Sequence, residues 1–332
     1  MTPTISVVIP VYNGGEAFVS CLDALLVNSH DHFEVIVVDD ASTDRSAAEA
    51  EARGVHVIRQ PTRSGPSVAR NAGAAQARGE ILALLDADVV LPADALSRAE
   101  AFLRDTPGIA GFSAVYTADS RVQGFGSQYL NLKQRYFQLQ LPDISDTAWT
   151  AFFVVWRERF LSCGGLDTAL HHPAADDLVL GSRMAAAGHR LAFCRDLEVE
   201  HLKELSVVET WRFHFVHARE WSRASRRYQL LRQQKVKHSK RPVGNTILGS
   251  GLVVLLMGAP VGVLIFPLWG GAIGGTLVVG AVWNADFMRW LAQHRGWYFA
   301  VRALPVTLIE GVANAAGMLR ALPPSSLAQR RS

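Results

Sequence analysis

Cysteine is scarce in this chain: Cys21, Cys163 and Cys194 are the only three among 332 residues, and none lies at metal-ligand spacing. That excludes a disulfide scaffold and a cysteine-built zinc site, and it suits a reducing compartment. Acidic residues almost vanish from the last third. Residues 221–332 hold 14 basic side chains and two acids, Asp286 and Glu310, whereas residues 1–220 hold 19 basic against 28 acidic. The formal net charge of +3 therefore hides a split of −9 and +12. Such a split points to two parts facing different partners, one of them an anionic surface. Charge of either sign is missing from Pro242 to Ala285, a run of 44 residues. The dinucleotide glycine fingerprint and the phosphate-loop Gly-Lys-Ser/Thr are absent too, so the common nucleotide-cradling loops are not used. With 49% apolar residues, disorder is excluded.

One bilayer crossing takes about 20 apolar residues, so the uncharged run is long enough for two. Phe266-Pro-Leu-Trp-Gly-Gly271 divides it, because Pro and Gly turn a chain and Trp favours the membrane interface. The expected hairpin covers about 243–266 and 271–288. A third apolar segment, about 298–322, carries Arg302, Pro305 and Glu310. It either spans or lies shallowly with its charges paired, and spanning is the favoured reading. Residues 206–241 read as basic juxtamembrane helices, 242–322 as a membrane region of two to three helices, and 323–332 as a basic tail. Arg223, Arg226, Arg227, Arg232, Lys235, Lys237, Lys240 and Arg241 precede the first span, which places the N-terminal part in the cytoplasm. No signal peptide is expected, since Ile5–Val11 is too short and lacks a basic flank. Trp211, Phe215, Ala218, Trp221, Ala224 and Tyr228 recur at spacings of three and four. That stripe suits either packing on the globular part or a helix lying on anionic headgroups. His214, His217 and Glu220 share this helix, but a basic membrane helix explains them better than a metal site.

The first 110 residues alternate apolar strands with helical segments: strands at 5–10, 33–38, 55–59 and 81–85, and helices at 16–28, from Ser42 onward, and at 67–77. This pattern predicts a mostly parallel sheet covered on both faces. Ligands of such sheets bind beyond the carboxyl ends of the strands, where Asp39-Asp40 and Asp86-Ala-Asp88 fall. An Asp-x-Asp after a buried strand can hold a hard divalent cation that binds phosphate oxygens. Carboxylates facing a diphosphate with no cation would repel it. Solvated carboxylates at a strand end are common, so the motif gains weight only from Asp40 and Asn71 converging on the same edge. Residues 111–160 are less legible; 123–140 reads as an amphipathic piece, facing lipid or packed on the sheet.

An ordered series of motifs carries a resemblance. Val7-Val-Ile-Pro-Val-Tyr-Asn13, Val37-Val-Asp-Asp-Ala-Ser-Thr-Asp44, Ala69-Arg-Asn-Ala-Gly73 and Leu84-Leu-Asp-Ala-Asp88 are followed by Gly164-Gly-Leu-Asp167, Asp176-Asp177-Leu-Val-Leu-Gly-Ser-Arg183, Gly188-His-Arg190 and His201-Leu-Lys203. Over about residues 4–205 the chain resembles the inverting family-2 glycosyltransferases of GT-A fold. The membrane tail resembles lipid-acceptor members in layout only. The resemblance implies a GT-A nucleotide-diphospho-sugar transferase domain over 1–205, an α/β fold with a Rossmann-like sheet, followed by the helical membrane region.

Carried over by position, the resemblance implies that Pro10, Val11 and Tyr12 line the nucleotide base and that Asp40 accepts from its edge. Arg70 and Asn71 lie near the ribose and phosphates. Asp86 and Asp88 form the Asp-x-Asp, with Asp88 coordinating Mg²⁺ or Mn²⁺ and His201 supplying a further ligand. Asp177 is the general base, and Asp176 stands where the family often has Glu, a methylene shorter. The start of a helix should hold the pKa of Asp177 low. The implied partners are a nucleotide-diphosphate sugar donor, a lipid or lipid-linked acceptor and a membrane, with no nucleic acid polymer. The implied location is a multi-pass protein of the cell membrane, its catalytic domain cytoplasmic. Two alternatives remain: a polyprenyl-phosphate sugar synthase, whose acceptor needs no base, and a non-catalytic nucleotide-sugar-binding membrane protein. A processive polysaccharide synthase is disfavoured because no Gln-x-x-Arg-Trp motif occurs.

Overall fold

The computed structural model describes residues 3–169, 175–227, 282 and 284–321. The spans expected at 243–266 and, for the most part, 271–288 lie outside the described residues. The chain divides into two compact units, one formed by residues 1–123 and 137–203 and the other by 124–136 and 204–332.

In the first unit, runs of β-branched and Leu residues make strands that are buried on both faces. β1 (Ile5–Val11), β2 (Phe33–Asp39), β3 (His56–Arg59) and β4 (Ile81–Leu85) pair in parallel in the order β3-β2-β1-β4. The helices α1 (Gly15–Leu26), α2 (Ser46–Ala52) and α3 (Pro66–Gln76) connect them. The sheet continues through β8 (Phe152–Trp156), β6 (Ile109–Tyr116), β9 (Arg190–His201) and β5 (Val89–Val90), and β7 (Ile144–Ser145) pairs with β9. It is a mixed sheet rather than a mostly parallel one. β8 lies between β4 and β6 and runs antiparallel to both, and β5 and β7 are antiparallel to β9. The order of strands in sequence does not reveal this, because β8 reaches β4 from some seventy residues away.

Alternation along the strands builds two cores. Ile5, Val7, Ile9 and Val11 face the layer holding Phe18, Leu22 and Leu25 of α1 and Leu96 and Leu103 of α4 (Ala95–Asp105). Val8, Val38, Leu82 and Leu84 face Ala69 and Ala74 of α3, Phe160 of α6 (Arg157–Ser162) and Leu180 and Met184 of α7 (Asp176–Ala186). Pro10 sits in β1 without damage: β4 pairs only as far as Val8, so its missing N–H costs no bond on that side.

The antiparallel insertion leaves the polarity of the edge intact. β8 is antiparallel to both β4 and β6, and β9 is parallel to β6, so the carboxyl ends of β6 and β9 lie at the same edge as those of β1, β2 and β4. Asp39-Asp40, Asp86-Ala87-Asp88, Tyr116 and His201 all fall there.

The second unit contains the first three turns of α5 (Phe125–Gln140), α8 (Val207–Arg227) and α9 (Ala285–Arg320). α9 has a break at Gly296, whose φ of 81° lies in the left-handed region. The 125–136 part of α5 packs within the second unit. Tyr129, Leu130 and Leu132 are buried, and Tyr129 and Tyr136 pack on Phe287 of α9. The stripe on α8 is divided: Ala218 and Ala224 are buried, with Ala218 against Gly317 of α9, while Trp211 remains partly exposed and stacks on Phe215. His214 meets Glu310, His217 bonds the Phe213 carbonyl and Glu220 pairs with Arg219 and Arg223, so the three make no metal group.

Candidate active site

The first wall of the site is the loop after β1. Asn13 and Ala41 both have positive φ, 51° and 62°, and their turns lock together. The Asn13 side-chain oxygen accepts from the N–H of Thr43 at 2.8 Å, and the Asn13 N–H donates to Ser42 Oγ at 3.0 Å. The Asp44 carboxylate accepts from the N–H of Gly15. Tyr12, on this ledge, is 39% exposed, and the Arg63 guanidinium lies 3.9 Å over its ring. Pro10 and Val11 lie beneath it, buried in β1. Asp40 is only 3% exposed, and its two oxygens accept the N–H groups of Ser64 (2.6 Å) and Gly65 (2.8 Å). It holds the loop that carries Arg63, leaving only its remaining lone pairs for a base.

The second wall follows β4. Asp86 and Asp88 flank the turn into β5, and Val89 of β5 pairs with His201 of β9. That pairing sets His201 Nε2 3.5 Å from the Asp88 carboxylate and the Leu202 N–H 2.7 Å from the Asp88 carbonyl. Tyr116 stacks on the imidazole with centroids 4.7 Å apart and planes within 5°. Burial acts to raise the Asp88 pKa, but His201 and Lys203 outweigh it and hold the carboxyl well below its usual range. Asp88 is thus held as an anion beside the imidazole ring.

The third wall is the N-terminal turn of α7. Asp176 is 2% exposed; its Oδ2 accepts from Ser67 Oγ at 2.9 Å and from Arg70 Nη1 at 3.2 Å, and its Oδ1 accepts the N–H of Asp177 at 2.9 Å. The other arm of Arg70 donates to Asp86. One guanidinium therefore joins Asp86 of the Asp-x-Asp to Asp176 of the Asp-Asp pair, which brings the two carboxylate clusters together. Asp177 is half-buried, and one of its oxygens accepts the N–H of Leu178 at 2.7 Å. Its pKa is not lowered by the helix start as expected. Burial, then the charge of Asp176, push it up to about 7, which outweighs the Leu178 N–H and Arg70. Asn71 departs from its expected place. Its amide donates to the Leu166 carbonyl at 2.8 Å and accepts the Leu166 N–H at 2.9 Å, which pins the Gly164-Gly165 turn to α3 and leaves the amide spent on that turn rather than on a ribose or phosphate.

Sequence reasoning missed Ser67, Tyr116, Arg63 and the Ser64-Gly65 amides. Ser67 stands 109 residues from Asp176 along the chain. Only the fold brings such groups together, and the sole local signal was the Asp-rich edge itself. Among the described residues no group of three or more His, Cys, Asp or Glu could hold a metal ion. Asp88 and His201 are two residues at this edge that could hold a cation between them. That fits a hard cation completing its shell with phosphate oxygens and water, the usual way Mg²⁺ is bound.

The fold is that of the GT-A nucleotide-sugar transferases. A mannosyltransferase from Pyrobaculum calidifontis, solved with GDP-Man and Mn²⁺, superposes with a TM-score of 0.58 at 19% identity, covering 95% of this chain and 88% of that one. GalNAc-T7, solved with UDP, GalNAc and Mn²⁺, does so at 0.51 and 17%, covering 68% and 48%. Residues 6–160 match the family described as Glycosyl transferase family 2. Glycosyltransferase GlyG of Streptococcus pneumoniae is 35% identical over 96 residues, 27% of this chain and 32% of that protein. A protein described as a putative teichuronic acid biosynthesis glycosyltransferase, TuaG of Bacillus subtilis, is 33% identical over 108 residues, 31% of this chain and 43% of its own length. The chain spans less than half of the length of each of these two relatives.

Proposed function

We propose that the protein is an inverting glycosyltransferase that moves a sugar from a nucleotide-diphosphate donor to a hydroxyl of a lipid or lipid-linked acceptor at the cytoplasmic face of the cell membrane. The observation that carries the reading is the Arg70 bridge, because it brings the Asp-x-Asp of the cation seat together with the pair that holds a carboxylate of raised pKa. The described helix α9 is long and apolar enough to cross a membrane, which supports the membrane reading by length and composition.

In this reading Tyr12 offers an exposed ring for the base to stack on, above Pro10 and Val11, and Asp40 shapes the floor through the 64–65 loop. Asp88 and His201 hold Mg²⁺ or Mn²⁺, which when bound neutralises the departing diphosphate. Tyr116 and the β5–β9 pairing fix His201 so that its Nε2 stays aimed at Asp88. Asp177 takes the proton of the acceptor hydroxyl. A carboxylate with a pKa near 7 is a far better base than an ordinary aspartate, and it is still mostly ionised at slightly alkaline pH. The half-burial of Asp177 excludes water from one side of the proton being moved.

The test is direct. Membranes or detergent-purified full-length protein are incubated with a panel of labelled nucleotide sugars and Mn²⁺, and the lipid extract is analysed by mass spectrometry. A new hexosyl-lipid from one donor, abolished by EDTA, is the expected result. Metal-dependent donor binding without transfer to any lipid would instead favour a non-catalytic nucleotide-sugar-binding protein. The polyprenyl-phosphate synthase reading is disfavoured by the raised pKa of Asp177, since a phosphate acceptor has no proton to surrender.

A further inference from the structure

Resting on the reading of Asp177 as the base, we propose that Arg70 and Asp176 form a buried clamp that holds Asp177 in place and tunes its basicity. Arg70 is then a positioning residue rather than a donor contact, and Asp176 a positioning residue rather than a second catalytic carboxylate.

Both arms of the clamp's guanidinium are engaged inside the protein, while its Nε is buried with no hydrogen-bond partner. Arg70, on α3, is 4% exposed, with one arm on Asp176 and the other on Asp86. Reaching a ligand phosphate would break one of these bonds and leave a buried carboxylate uncompensated. Asp176 is 2% exposed and both its oxygens are engaged: Oδ2 holds Ser67 and Arg70, and Oδ1 holds the main-chain N–H of Asp177. That last bond ties the clamp to the backbone of the base, so a shift of Arg70 moves Asp177 as well.

Charge completes the argument. The largest charge effects on Asp177 come from Asp176 on its own helix, Arg70 from α3 and Asp86 from the end of β4, and Tyr116 of β6 is a further ionisable group it acts on. Burial raises Asp176 too, so the two neighbouring carboxyls titrate together. Two anions against one cation leave a negative excess, which favours the protonated form of Asp177. Removing Asp176 relieves the excess and removing Arg70 deepens it, so the two substitutions must move the titration of Asp177 in opposite directions. A scaffold residue whose loss merely loosens the fold has no reason to produce opposite signs.

The experiment is the pH profile of kcat/KM for the full-length protein with whichever nucleotide sugar it turns over. Asp176→Asn is expected to move the acid limb to lower pH and Arg70→Gln to higher pH, each by about one unit. Ser67→Ala, the mildest change, should move it in the same direction as Asp176→Asn and by less. Arg70→Lys keeps the charge but cannot bridge two carboxylates, so kcat should fall about tenfold while the limb and the donor KM stay in place. Limbs that do not move, shifts of the same sign, or a donor KM raised tenfold by Arg70→Lys would overturn the proposal. Should the wild type transfer nothing, the carboxyl ¹³C titration of Asp177 in the same variants reads the shifts directly. Opposite shifts there would sustain the clamp while the transferase reading falls; unmoved titration would sink the clamp.

Discussion

In the proposed reading Asp177 is the general base, and its environment sets a signature in pH. With its pKa near 7, kcat/KM for transfer should climb through about pH 7 and level off above pH 8, a limb that steady-state rates from pH 5.5 to 9 will resolve. Stability runs the other way. The folded carboxyl holds its proton to higher pH than the unfolded one, whose pKa is near 4. Asp177 therefore costs nothing below about pH 4, and its cost grows as pH rises to 7 and then stays constant. Asp177→Asn should accordingly raise Tm more at pH 8 than at pH 5, and equal shifts at both would contradict the raised pKa. The sequence singled out this carboxylate as a candidate but did not show its raised pKa. The capping position suggested an acidic group, whereas burial and Asp176, invisible until the fold is known, dominate. Asn71 shows the same limit: a motif names the residue, and the partner, here Leu166, decides its use.

At the scale of elements, what matters is how α7 and the β5–β9 pair are seated. α7 packs so closely that a Cβ on Gly181 would overlap the carbonyl of Asp146, a backbone atom with no freedom to retreat. Gly181→Ala should therefore cost about 2 kcal/mol or more and lift the first turn of α7, lowering transfer as well as Tm. Scanning calorimetry alongside a transfer assay checks both; an unchanged Tm would show that α7 can slide without penalty. Gly73, where a Cβ would meet Val8, is the equivalent close approach between α3 and β1. The parallel half of the sheet was legible, because apolar runs alternate with helices at regular intervals. The antiparallel β8 was not, because its apolar run reads the same in either direction and only its neighbours fix the sense. His201 came within reach of Asp88 through a two-residue strand, β5, too short to leave a periodic signal.

At the scale of the whole molecule, the split in charge recurs as two units with different interiors. The second unit buries one carboxylate, Glu310 at 1% exposure, among Tyr129, Lys133, Thr307 and His214 of three helices. α9 thus pairs its acid inward and leaves Trp297, Tyr298, Val301, Ile309 and Leu319 exposed. Arg302 lies over the rings of Phe125 and Tyr298. The sequence offered spanning and charge pairing as alternatives for this segment, and the helix has both the length for one and the contacts for the other. Glu310→Gln strands Lys133 and should destabilise the unit by about 3 kcal/mol, measured by thermal unfolding in detergent; a double change to Met at both positions should recover most of it. If the single variant is as stable as the wild type, the pair contributes nothing. The account as a whole rests on a base and a cation seat serving one site. It is tested most directly by comparing Asp177→Asn with the wild type at pH 8 for Mn²⁺-dependent donor binding and for transfer to lipid. The prediction is unchanged binding with transfer reduced about a thousandfold. Transfer that survives the substitution at the wild-type rate would contradict it.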